Sequence, residues 1–318
     1  MKKIIKTVGI IILTIIVVII IAMIYVSVSG IPKYDTVNFE YKVDSTPELV
    51  ERGKKLSLML CAGCHKNPET GKLSGKQMLD VPPEFGTIYS QNITQDKQYG
   101  IGNWTDAELV YLLRTGIKKD GHYSPPYMVK LPHLSNEDMN AIIAFLRSDD
   151  ELVKADPTPD NPCEPSLLTK ILTRTAFKPF PMPTNPIENP DTSNMVELGR
   201  YLSYNLDCFS CHSSDFKTNN YMVPELSKGY FAGGNKPLNN NAQVVLTSNL
   251  TPDPETGIGN WTEEQFVKAV KYNVLDNEPA LQYPMSPYVY LNDHEAASIY
   301  QYLKTIPPIK NKINRIIY

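Results

Sequence analysis

Cys61-Ala62-Gly63-Cys64-His65 recurs in the same chain as Cys208-Phe209-Ser210-Cys211-His212. The surroundings of the two runs repeat as well, and in the same order. Upstream, Val50-Glu51-Arg52-Gly53 returns as Val196-Glu197-Leu198-Gly199. Downstream, Gly100-Ile101-Gly102-Asn103-Trp104-Thr105 returns unchanged as Gly257-Ile258-Gly259-Asn260-Trp261-Thr262. Identity of this length, tryptophan included, points to a duplicated domain with copies over residues 45–150 and 190–308. The repeat is far longer than a solenoid period.

Two cysteines three positions apart, followed at once by histidine, suit one chemistry well. Both thiols can add to the vinyl groups along one edge of a haem, and the adjacent imidazole then lies against the iron. This reading gives covalent haem c at Cys61 and Cys64 and again at Cys208 and Cys211, two per chain, with His65 and His212 as axial ligands. A structural zinc site needs four nitrogen or sulfur donors close together, whereas each knuckle here sits in its own copy. A thioredoxin-like pair needs a βαβ setting that the sequence lacks.

The opposite axial position calls for a second donor from later in each copy, and thioether sulfur is the usual choice in electron carriers. In the second copy Met285 stands between Pro284 and Pro287 in a stiff loop before the last helix. In the first, the matching loop reads His122-Tyr123-Ser124-Pro125-Pro126-Tyr127-Met128, so the sulfur has moved past the tyrosine. Met128 is the expected donor there. His122, His133 and an open site are the alternatives.

Each copy reads as three helices, giving a mainly α chain with no strand pattern of useful length. Thr46-Pro47 starts the first, a cap residue followed by proline at the opening helical position. Thr105 with Glu108, and Thr262 with Gln265, form capping boxes for the second. Ser135 and Asn292 open the third. Trp104 and Trp261 follow Gly-Asn turns, while Asn92 and Asn249 each precede an aliphatic residue and threonine. All four are candidates for packing on a haem edge, with ordinary core and turn roles as the equal alternative. Cys163 belongs to no motif and is expected to be an inert thiol.

Residues 151–190 carry nine prolines, which predicts a stiff, extended connector. Its middle, Leu167 to Leu172, has the spacing of a short packed helix. Before the first copy, residues 1–30 hold Lys2, Lys3 and Lys6, then an uncharged run from Val8 to Val28. At 1.5 Å per residue this run crosses a hydrocarbon core of roughly 30 Å. It exceeds the roughly 7–15 residues of a cleaved signal, so an uncleaved anchor is expected, although Ser27-Val28-Ser29-Gly30 offers small residues for cutting. The flanking lysines keep the N-terminus cytoplasmic and export the rest to the periplasmic side of the cytoplasmic membrane.

Over the 318 residues, 31 basic against 34 acidic side chains leave a formal charge of −3. That speaks against a nucleic-acid partner. Five cysteines are too few for a disulfide scaffold.

Over residues 45–150 and 190–308 the sequence resembles the class I cytochrome c domain used twice, as in membrane-anchored di-haem cytochromes c. In that family the first and last helices cross at a small residue against an aromatic, which implies pairing of Gly53 with Phe145 and Gly199 with Tyr302. The second copy is similar to cytochrome subunits that pass electrons from periplasmic dehydrogenases to a respiratory chain. The implied function is single-electron transfer at the membrane, with no catalytic residues of its own. Its partners would be membrane lipid, a donor or acceptor protein or quinol, and a dehydrogenase subunit. The alternative is a di-haem enzyme, of peroxidase or thiosulfate-oxidising type, with one open iron. No dinucleotide-binding glycine loop is present, so dehydrogenase chemistry would come from another chain.

Overall fold

The computed structural model describes residues 2–276 and 278–315. As the periodicity predicts, it is mainly α. An N-terminal apolar helix α1 (Lys2–Ser29) is followed by α2 (Pro47–Leu60), α3 (Ala62–His65), α4 (Asp106–Thr115) and α5 (Asn136–Leu146). A short helix α6 (Leu167–Thr175) leads to α7 (Met195–Asn205), α8 (Cys208–His212), α9 (Glu263–Tyr272) and α10 (Asp293–Leu303). Among the described residues the extended structure amounts to β1 (Gly86–Thr87) paired antiparallel with β2 (Glu164–Pro165) and a few isolated bridges.

The helix starts follow from local chemistry. Thr46 accepts from the Leu49 N–H, and Pro47 occupies a position whose N–H would have no helical partner. The capping boxes at Thr105/Glu108 and Thr262/Gln265 both close, and Asn292 closes a third with Glu295. Each reciprocal pair satisfies two backbone donors that the helix leaves open.

Packing then repeats in the two halves. Helix α2 crosses α5 with Gly53 against Ala141 and Phe145, and α7 crosses α10 with Gly199 against Ser298 and Tyr302. Phe145 is fully buried and Tyr302 nearly so. Each such ring contributes roughly 1.5–3 kcal/mol by leaving water. One core gathers Leu56, Leu109, Ile142 and Phe145, the other Leu198, Phe209, Phe266 and Leu303.

The halves also pack on each other. Met59 and Leu60 of α2 touch both cores, as does Tyr201 of α7. The Tyr201 hydroxyl donates to Asp138 Oδ2 at 2.5 Å and accepts from the Ser135 N–H at 3.0 Å. Lys55 pairs with Glu295 at 2.5 Å.

The Pro-rich chain after α5, read as a stiff extended connector, lies along the first half. The Leu73 N–H donates to Leu152 O, the Gln95 N–H to Val153 O, and Val153 is wholly buried in the first core. After α6 the chain returns to the same half, where the Phe180 N–H reaches Thr115 O and the Asn136 N–H reaches Ile187 O. The stretch after α1 lies on it too: the Tyr34 N–H donates to Gly121 O, and the Tyr41 hydroxyl to Asn140 Oδ1 at 2.5 Å.

Candidate functional site

Positions i, i+3 and i+4 of a helical turn share one face. Cys61 ends α2 and opens the turn that holds Cys64 and His65, with the His65 N–H donating to Cys61 O at 2.8 Å. In the second half Asp207, at φ 58°, breaks the chain direction after α7 so that Cys208, Cys211 and His212 share the single turn of α8. Both motifs open on one continuous cavity of about 1190 Å³, whose walls come from both halves. A drug-sized ligand takes roughly 300–1000 Å³. The volume exceeds that range.

Each histidine is held the same way. Nδ1 of His65 lies 2.7 Å from the Gln91 carbonyl, and Nδ1 of His212 lies 2.8 Å from the Ser248 carbonyl. A carbonyl only accepts, so Nδ1 carries the proton and Nε2 keeps its lone pair. Burial lowers the pKa of both rings, which favours the neutral form a metal requires. Burial also pushes the thiols of Cys61, Cys208 and Cys211 up to about 12, and that of Cys64 up as well. An ion is held by thiolates, so buried thiols whose pKa is raised are poor ligands for one. Among the described residues no three His, Cys, Asp or Glu side chains converge into a metal cage. Paired thiols, an oriented imidazole and a large apolar cavity are the donor set that a haem c uses.

Met128 and Met285 both line this cavity, and different braces hold their loops. The Met128 N–H donates to Pro125 O at 3.1 Å, and the same carbonyl accepts from buried Lys130 Nζ at 2.9 Å. Burial brings the Lys130 ammonium down to about 7, and Tyr123 offers its ring face at 5.0 Å. Ser124 donates to the Met128 sulfur at 3.5 Å. In the other loop Asn273, the left-handed C-cap of α9, donates to Met285 O at 2.7 Å.

The alternative donors separate in space. His122 lies on the cavity wall, its Nδ1 paired with Asp120 Oδ2 at 2.7 Å. His133 is not on that wall: it sits in the seam between the halves, its Nε2 2.8 Å from Tyr221 O and its ring near Tyr204.

Trp104 and Trp261 both line the cavity, and Lys119 stands over the Trp104 ring. Asn92 and Asn249 are buried, and their amides are occupied. Asn92 Nδ2 donates to Asp156 O and Thr158 O, while its Oδ1 accepts from Thr94. Asn249 Nδ2 donates to Ile309 O, and its Oδ1 accepts from Thr251. Each asparagine therefore pins the tail that follows its half's last helix.

Three features gave no sequence signal. Cys163 lies on the cavity wall, where its sulfur accepts from the Tyr89 N–H at 3.3 Å and donates to Tyr89 O at 3.2 Å. Asp207 is bonded to Ser210, and burial raises its carboxyl to about 7. Tyr283 reaches across the halves to donate to Asp80 Oδ2 at 2.6 Å. Only the αL residue before Cys208 has a local explanation, the need for a sharp turn between α7 and α8.

Residues 50–149 match the cytochrome c family. The chain is 30% identical over 278 residues to the protein named alcohol dehydrogenase (quinone), cytochrome c subunit, of Gluconacetobacter polyoxogenes, covering 84% of this chain and 58% of that protein. It is 29% identical over 275 residues to the fructose dehydrogenase cytochrome subunit of Gluconobacter japonicus, covering 81% and 52%. A diheme cytochrome c-type protein of Cereibacter sphaeroides is 37% identical over 94 residues, 27% of this chain and 31% of that one. The chain thus spans just over half the length of the first two. With the family match lying across the first Cys-x-x-Cys-His turn and its oriented imidazole, this mainly helical chain contains a cytochrome c domain.

Proposed function

We propose that the chain is a di-haem electron carrier, held in the cytoplasmic membrane by α1 with its bulk on the periplasmic side, that serves as the cytochrome subunit of a dehydrogenase. Cys61 and Cys64 would tether one haem c and Cys208 and Cys211 the other, each supplying a one-electron iron couple. The observation that carries this reading is the repeated anchoring of His65 and His212 through Nδ1 to a backbone carbonyl, with both rings on the same cavity. Such a bond fixes the ring and raises the basicity of the coordinating nitrogen.

Met128 and Met285 would close the sixth positions, which keeps exogenous ligands off the metal and favours electron transfer over turnover. The lysines before Val8 support the inward N-terminus. The relatives' names support a dehydrogenase partner, whose catalytic centre would lie on a separate chain.

Carbon monoxide tests the carrier reading against the open-site enzyme. The dithionite-reduced full chain is expected to keep its visible spectrum under carbon monoxide. Rapid stoichiometric formation of an adduct at either haem would overturn the reading in favour of an open iron.

A further inference from the structure

Helix α6 turns two threonines inward and part of its apolar surface outward, although Leu167 and Leu172 are half-buried. Thr169 and Thr173 are turned inward, at 1% and 0% exposure, while Leu168 and Ile171 are left outside at 42% and 37%. A water-facing helix places its apolar stripe on the core and its polar residues outside. The inward threonines are satisfied by backbone: Thr169 Oγ1 donates to Phe85 O at 2.7 Å, and Thr173 Oγ1 to Lys170 O at 3.1 Å. Among the described residues, the leucine and isoleucine are left 42% and 37% uncovered.

The position of α6 supplies what covers them. Lys170 Nζ donates to Ser27 O at 2.9 Å, Arg174 Nη1 to Gly30 O at 2.6 Å, and Arg174 Nη2 to Ser29 Oγ at 2.8 Å. Ser27 is the penultimate residue of the uncharged run that ends at Val28. Lys170 and Arg174 therefore hold α6 against the end of α1, where its apolar part stops. Cationic side chains border its exposed stripe, with Lys170 and Arg174 on the helix and Lys178 just after it.

We infer that α6 is an interfacial helix lying on the periplasmic leaflet, with Leu168 and Ile171 in the boundary between headgroups and acyl chains and the positive charge of Lys170, Arg174 and Lys178 at the level of the headgroups. Such helices insert only their apolar face, roughly 5–10 Å deep, and owe part of their binding to anionic lipid. The inference rests on the reading of α1 as a membrane anchor. Its consequence for the site is geometric. Cys163 and Pro165, immediately before α6, line the shared cavity, and β2 ties the start of α6 to β1. A surface-bound α6 therefore gives the first half a second point of attachment to the bilayer beside α1.

The test uses the full haem-loaded chain in lipid nanodiscs containing anionic lipid. Cys163 is replaced by serine, and a nitroxide is attached singly at Leu168→Cys, at Ile171→Cys, or at Leu226→Cys on the exposed surface of the other half. Labels at 168 and 171 are expected to relax more strongly with oxygen than with a water-soluble nickel chelate, and the label at 226 the reverse. Water-type accessibility at 168 and 171 would overturn the inference, as would shielding from both relaxants, which indicates a protein cover. Alkaline carbonate extraction of the same samples separates the two claims. Release from the membrane refutes the anchor and the inference together, whereas retention with water-facing labels refutes the inference alone.

Discussion

A chain carrying Gly199→Ala is expected to melt its second half at a clearly lower temperature. A methyl group on Gly199 would lie 1.9 Å from the Ser298 carbonyl oxygen, 2.5 Å from its carbon and 2.8 Å from Tyr302 Cβ. Two of these three neighbours are backbone atoms of α10, so relief requires the helices to separate. Alanine favours a helix over glycine by about 1 kcal/mol. Overpacking a core costs about 1–3 kcal/mol where side chains can shift, and rigid backbone puts this site at or above the upper end. The clash wins, by roughly 2 kcal/mol or more, which in a domain of this size lowers the melting midpoint by at least ~8 °C. Gly53→Ala is expected to do the same to the first half, where the added carbon meets Ala141 O at 1.7 Å. Gly63→Ala serves as the control, because nothing lies within 4 Å of its added carbon. Calorimetry of the three variants checks this. A midpoint for Gly199→Ala equal to that of Gly63→Ala would show that the crossing is looser than described.

Met285→Ala is expected to remove the far-red ferric band that a sulfur–iron bond produces. It should lower one of the two reduction potentials while leaving the other in place, and let one of the two haems bind carbon monoxide. Met285 is half-buried against the second core, so truncation costs about 2 kcal/mol, near the bottom of the range for buried methionine. The fold is expected to survive. Asn273→Ala leaves the sulfur and removes its loop's brace at Met285 O, adding roughly 1–2 kcal/mol of strain for alanine in that left-handed cap; it should weaken the band and broaden the redox wave without abolishing either. Spectroelectrochemical titration decides. An unchanged ferric spectrum in Met285→Ala would mean that the sixth donor comes from elsewhere on the cavity wall.

Much of the helical frame was legible because its signals are local. Thr46-Pro47, Thr105 with Glu108, Thr262 with Gln265, Ser135 and Asn292 all cap the helices they announce. Cap chemistry involves residues three apart and does not wait on tertiary structure. The chain between the helices was less legible. Nine prolines in residues 151–190 describe a stretch that is largely extended on either side of α6, but not where that stretch lies. Its hydrogen bonds to Leu73, Gln95 and Thr115 are backbone contacts between distant segments and leave little trace in side-chain type. The same gap explains Asn92 and Asn249. Their repeat with a following threonine marks a shared role, yet only the fold shows both amides holding the tail that follows the last helix of each half. His133 stood as near the Met128 loop in sequence as His122 did, and a seam between halves has no periodic signature. Helix α6 reads as amphipathic either way, because spacing defines a stripe and not the direction it faces.

One haem attached covalently at each paired-cysteine turn is what the two motifs require. The direct measurement is haem per chain by alkaline pyridine spectra after acidified organic extraction, on the natural chain and on the variants Cys61→Ser/Cys64→Ser and Cys208→Ser/Cys211→Ser. Two haems are expected to be retained in the first and one in each variant. A single haem in the natural chain, or haem that passes into the organic phase, would contradict this.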